Sequence, residues 1–163
     1  MDNTQYINGS DLLVKFGTSG ATGHATSHTA TFNTETKETA VKPAASVSQS
    51  SAALFKNKRV SGLSVQLKAD GLGVYDESEA GIPDFLDQWK AGSSVEVKAF
   101  HRGNDAAPYI SGNFIITSLE LSEPAGEDTT YSITLDNDGA VSVDGTKFGP
   151  ASSQGGGEEE GEN

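Results

Sequence analysis

GNFIITSLELSEPAGEDTTYSITL, residues 112–135, holds two strand patterns separated by a turn. In the second arm Tyr131, Ile133 and Leu135 alternate with Ser132, Thr134 and Asp136; in the first, Ile115, Thr117, Leu119 and Leu121 stand against Ser118, Glu120 and Ser122. Alternation with a period of two belongs to strands with one dry face and one wet face, and antiparallel sheets are the kind that tolerate such a difference. The expected dry side carries Leu119, Leu121, Ile133 and Leu135. The expected wet side carries Glu120, Ser122, Thr130, Ser132, Thr134 and Asp136.

Working outward, Ser61 to Asp70 repeats the pattern, with Val65 and Leu67 dry, Gln66 and Lys68 wet, and Asp70-Gly71 reading as a turn. A single helix is predicted over about 82–91. Pro83 suits its first turn, Asp84 and Asp87 lie near its positive end, and Lys90 and Gly92 close it. Ile82, Phe85, Leu86 and Trp89 then share one side, so Phe85, Leu86 and Trp89 are assigned to the core and not to a ligand groove. Further strands are expected at Asp11 to Phe16, at the Thr-rich segment His24 to Asn33, and at Ser94 to His101, with turns around Asn104-Asp105, Asp138-Gly139 and Asp144-Gly145. From about 34 to 58 the pattern dissolves into a polar loop containing Pro43. A loop of this length either has a task or is a flexible excursion, and Leu54 and Phe55 would be its exposed anchors. These elements specify a mainly β, antiparallel fold with one short flanking helix.

The chain has 163 residues, enough for one domain that buries roughly 70% of its unfolded surface. It has no cysteine, so no disulfide scaffold is expected. No apolar run approaches the roughly 18 residues of a membrane helix, and no leader pattern opens the chain, so neither a membrane span nor a signal peptide is expected and folding in a cytoplasm is. The 11 Lys plus Arg against 23 Asp plus Glu leave a net charge of -12, which repels phosphate and argues against binding of nucleic acid or anionic lipid. Part of that charge sits in residues 149–163, a Gly- and Glu-rich segment without large apolar side chains. It reads as a disordered acidic tail after a domain spanning 1–148, with docking on a basic partner as the alternative.

Catalytic chemistry finds little support. His24, His28 and His101 are the metal-ligand candidates, but Ala-Thr-Ser between the first two argues for strand or loop, and the Glu of a metalloprotease helix is missing. Asp136, Asp138 and Asp144 lack the glycine and glutamate of a calcium loop. Paired carboxylates for glycoside hydrolysis exist in any acidic β fold. The more serious rival is a carbohydrate-binding or adhesin module, which would cluster exposed aromatics on one sheet face, whereas most aromatics here fall on dry phases. No enzyme activity, metal or cofactor is expected.

The closing block, Gly112-Asn113-Phe114-Ile115-Ile116-Thr117-Ser118-Leu119, Pro124-Ala125-Gly126-Glu127-Asp128 and Thr130-Tyr131-Ser132-Ile133-Thr134-Leu135, resembles the major tail tube proteins of long-tailed bacteriophages, as does the order of elements from Ile7 to Phe148. The resemblance is most specific over Ser61 to Val143. It implies a β-sandwich or barrel subunit that forms hexameric rings stacked into a hollow tube, with kin in contractile injection machines and type VI secretion. It further implies a virion tail assembled in the host bacterial cytoplasm, partnership with tape-measure and tail terminator or sheath proteins, passage of DNA without specific binding, and no membrane. On this reading Gln66, Lys68, Glu120, Ser122, Thr130, Ser132, Thr134 and Asp136 face the lumen. Leu54 and Phe55 reach the next ring.

Overall fold

The structure, a computed structural model, describes residues 5–18, 20–22, 24–39, 56–74 and 79–150. The two patterns quoted above become β5 (Ile110–Ser122) and β6 (Thr130–Val143), preceded by β1 (Leu12–Phe16), β2 (Ala25–Thr39), β3 (Asn57–Leu72), α1 (Ile82–Ala91) and β4 (Val95–His101). The strands form one sheet in the order β1-β4-β5-β6-β3-β2, antiparallel at every step. This sheet is curled but not closed into a barrel. The Thr22 amide donates to the Val14 carbonyl at 2.9 Å beside β1, and Thr22 Oγ1 lies 2.9 Å from Nε2 of His28 on β2, so the two outer strands approach one another through a short connection and not through a ladder.

The expected loop over 34–58 is corrected at both ends. β2 runs on to Thr39 and β3 begins at Asn57, the two paired as far as Thr39 against Asn57. Ladder hydrogen bonds satisfy the backbone whatever the side chains are, and β-branched Thr favours extended geometry, so polarity on both faces does not end a strand. Pro43, Leu54 and Phe55 lie outside the described residues, as does the chain beyond residue 150.

Asp70-Gly71 is not a turn but part of β3. A Cβ on Gly71 would stand 2.6 Å from the Tyr131 hydroxyl oxygen on the neighbouring strand, and this close approach is what requires glycine. Asp138-Gly139 likewise falls within β6: Gly112 pairs with Val141 and Phe114 with Asn137, which leaves residues 138–140 opposite Asn113 alone, with Gly139 at φ +88. A second bulge frees Thr117 between the pairs Ile116–Leu135 and Ser118–Thr134. It shifts the phase of β5, so Ile116 points into the core while Ile115 shares the wet face with its partner Asp136.

The core gathers Val65, Leu67, Phe85, Ile133 and Leu135 with Phe16, Val97, Ile110, Phe114, Ile116 and Tyr131, and Leu119 packs on its margin. Phe85 is its centre, with ring centroids 5.1 Å from Phe16 and 5.2 Å from Tyr131. Three side chains assigned to the core are instead exposed: Leu86 at 42%, Trp89 at 57% and Leu121 at 37%. The helix is anchored by its first turn, where the Gly81 amide donates to Asp84 Oδ2 at 3.0 Å and Phe85 inserts, and left-handed Gly92 stops it after ten residues. Its outer side therefore has no layer to pack against among the described residues. Leu121 sits on the part of β5 that extends beyond β4.

Gly71→Ala is expected to lower stability by about 1–3 kcal/mol through overpacking against Tyr131. Urea unfolding checks this, and Tyr131→Leu in the same background should recover part of the loss.

Candidate functional site

Pairing register assembles the wet side chains into rows that cross four strands. Ser27, Asp70, Ser132 and Glu120 make one row, Thr29, Lys68, Thr134 and Ser118 the next, and Thr31, Gln66, Asp136 and Ile115 a third. Leu72, Thr130 and Ser122 form a shorter row. The eight residues expected at a lumen thus lie on one face of β3, β6 and β5, with Lys68, Glu120, Ser122 and Thr130 exposed and Gln66, Ser132, Thr134 and Asp136 half-buried. Hydrogen bonds run along the surface: Gln66 Nε2 donates to Asp136 Oδ1 at 3.0 Å and Ser27 Oγ to Asp70 Oδ2 at 3.3 Å. The single cation of these rows, Lys68, is 3.9 Å from Asp70, so carboxylate dominates the face.

This face ends in two free edges. β2 is terminal in the sheet, and β5 pairs with β4 only over Ile110–Phe114, which leaves Ile115–Ser122 without a ladder on that side. Beyond the sheet, β2 and β3 continue as a two-stranded arm, because β3 meets β6 only over Gln66–Leu72. At about 3.4 Å per residue the arm projects on the order of 30 Å. Phe32, Val60 and Leu63 are 56%, 60% and 74% exposed, and the pairs Phe32–Val65, Thr34–Leu63 and Thr36–Val60 place them on the same face as the core residues Val65 and Leu67. Around them stand Lys37, Lys58 and Arg59, with Lys56 bonded to Glu38 at 3.1 Å.

The histidines do not make a metal centre: among the described residues no three His, Cys, Asp or Glu side chains lie close enough to hold an ion. His24, at φ +48, is 4.0 Å from Glu79, and His101 Nδ1 bonds the Arg102 carbonyl oxygen at 3.2 Å. His28 lies on the dry face of β2, opposite Ala69, where burial pushes its imidazole below the ordinary 6.5, partly opposed by a hydrogen bond to the Leu12 backbone. The Tyr131 phenol is pushed up to about 12, first by burial and then by Glu79 and Asp70, so it remains a neutral core side chain.

The site is thus a polar sheet face bounded by free strand edges, with no metal-holding cluster among the described residues. The sequence model of the family described as phage tail tube protein matches residues 6–143. The chain belongs to that family. It is thus a structural tail tube subunit and not an enzyme. No curated protein sequence matches it significantly. Among solved structures, the tail of an empty gene transfer agent particle, refined with C6 symmetry, is similar over 85% of this chain and 99% of its own, at 17% identity and a TM-score of 0.68. The virion of a native gene transfer agent gives 19% identity and a TM-score of 0.62, with the same coverages. The SPP1 tail tube gives 17% identity and 0.59, over 85% of this chain and 80% of that one. At such identities the structural likeness establishes the shared fold.

The arm is the feature that strand reading missed in this tail tube protein. Its signal was present in Phe32, Val60 and Leu63, whose phase continues that of Val65 and Leu67 once the bulge between Glu35 and Thr36 is counted.

The unfolded chain takes up a proton at His28 that the folded chain resists, so this contribution to stability is complete above about pH 6.5 and is lost as pH falls from there towards the depressed folded value. Urea midpoints between about pH 7.5 and 5.5 should fall, and His28→Gln should remove that part of the fall.

Proposed function

We propose that this chain is a major tail tube subunit that closes into hexameric rings, stacks them into a hollow tube and conducts DNA through the lumen during ejection. The observation that carries the reading is the four-strand polar face with a free edge on either side. β2 and β5 run in opposite directions, so joining the free edge of β5 to β2 of the next subunit keeps the antiparallel alternation unbroken around a ring and covers both edges of the polar face. The C6 symmetry of the gene transfer agent tail supports six as the number of copies.

In such a ring the lumen is lined by Gln66, Lys68, Glu120, Ser122, Thr130, Ser132, Thr134 and Asp136. A duplex meets the same side chains at every ring, and each unpaired Lys or Arg would add an attractive counterion-release contribution. A carboxylate- and hydroxyl-rich wall avoids that and keeps the duplex moving. Leu54 and Phe55, in the segment that joins the two strands of the arm, are the anchors for the next ring. The subunit assembles in the host cytoplasm, resides in the virion tail, and meets tape-measure and terminator or sheath proteins at the tube's inside, end or outside.

Negative-stain microscopy of the purified protein at rising concentration should show six-fold rings or hollow tubes; a particle that stays monomeric at every concentration, with or without a tail template, contradicts the reading. Phe55→Asp should leave the monomer folded and stop tube growth. Tubes carrying Glu120→Lys and Ser132→Lys should retain short duplex DNA at low salt and release it as salt rises, whereas unmodified tubes retain none.

A further inference from the structure

We propose that the arm of one subunit seats Phe32, Val60 and Leu63 on the outer face of α1 of a neighbouring subunit, against its Leu86 and Trp89, with Lys58 meeting Asp87. The inference rests on the tube reading and adds to it the surface that receives the arm. Two apolar strips in this chain lack cover among the described residues. One runs along the arm as the continuation of the dry face; the other is the outer side of the helix. An apolar, edge-bearing hairpin left open to solvent invites uncontrolled pairing, so its preserved alternation is explained by burial in the assembly.

Charge supplies the orientation. Lys37, Lys56, Lys58 and Arg59 outnumber Glu35 and Glu38 on the arm, although the chain as a whole carries -12. Lys37 and Arg59 are direct cross-strand partners on the face of the arm turned away from Val60 and Leu63, so the cation beside the apolar strip is Lys58. The helix offers it an anionic surface: Asp84 and Asp87 border the cleft between α1 and the start of β4, where Glu96 also stands. Lys58 lies on the same face of the arm as Val60 and Leu63, paired opposite Glu38, whose carboxylate is already engaged by Lys56. Apolar anchors ringed by complementary charge form the usual pattern of a specific interface. The partner is therefore a second copy of this chain, because the two halves of the pattern lie on separate surfaces of each copy.

The absence of cysteine makes the test clean. Leu63→Cys and Trp89→Cys proteins, assembled as a mixture and mildly oxidised, should give a disulfide-linked dimer that neither protein gives alone. Tubes from the mixture without that cross-link would place the arm elsewhere and overturn the inference while leaving the tube reading intact. Failure of unmodified protein to form rings or tubes, together with no cross-link, would overturn both. A charge exchange covers the case in which the cysteine proteins fail to fold or assemble: Lys58→Glu and Asp87→Lys should each raise the concentration needed for tube growth roughly tenfold, and the two together should restore it. A combined variant no better than its parents would sink the pairing.

Discussion

β6 is held between β3 and β5 in a register that sends Tyr131, Ile133 and Leu135 to one side and Ser132, Thr134 and Asp136 to the other. A slip of one residue on either flank would exchange the two faces, place carboxylates against Phe85 and expose the apolar rows. Much else depends on this pairing. The buried side accepts the helix through Phe85, and the polar side becomes a continuous four-strand surface only because Asp70, Ser132 and Glu120 stand in one row.

The parts of the fold that were legible in the residues are those in which a local rule and the tertiary context agree. Period-two alternation located β5, β6 and the sheet-borne half of β3, and Pro83 with Gly92 bounded α1 within a residue of its limits. The parts that were not legible have a common cause, namely that side-chain pattern reports burial and not backbone pairing. Residues 34–39 read as loop because both faces are wet, yet they are strand because β3 runs beside them. The bulge at Thr117 inverts phase, and the one at 138–140 interrupts the ladder, without any compositional sign beyond Gly139. Gly71 reads as a turn because the side chain that demands its missing Cβ, Tyr131, is sixty residues away in sequence. The misplacement of Leu86 and Trp89 has a different origin. Amphipathic spacing shows which side of a helix is apolar, but it is silent on whether the cover comes from the same chain.

Acidity and edges make opposite demands on such a subunit. A charge of -12 keeps copies apart in dilute solution, whereas two unpaired strand edges draw them together. In the proposed docking, the cations concentrated on the arm make arm-to-body approach electrostatically favourable while body-to-body collisions remain repulsive. Specificity among copies of a single chain then comes from where the charges sit and not from how many there are.

The extra residue at Thr117 and the two extra residues within 138–140 lie on adjacent strands, and bulges of this kind bend and over-twist the sheet that contains them. In any closed circle of identical units the bend contributed by each, multiplied by their number, must come to a full turn. Backbone insertions along β5 and β6, together with the twist of the strands, are therefore what sets how much of that turn one unit can supply, and the side chains on the wall then set how much of the opening stays clear.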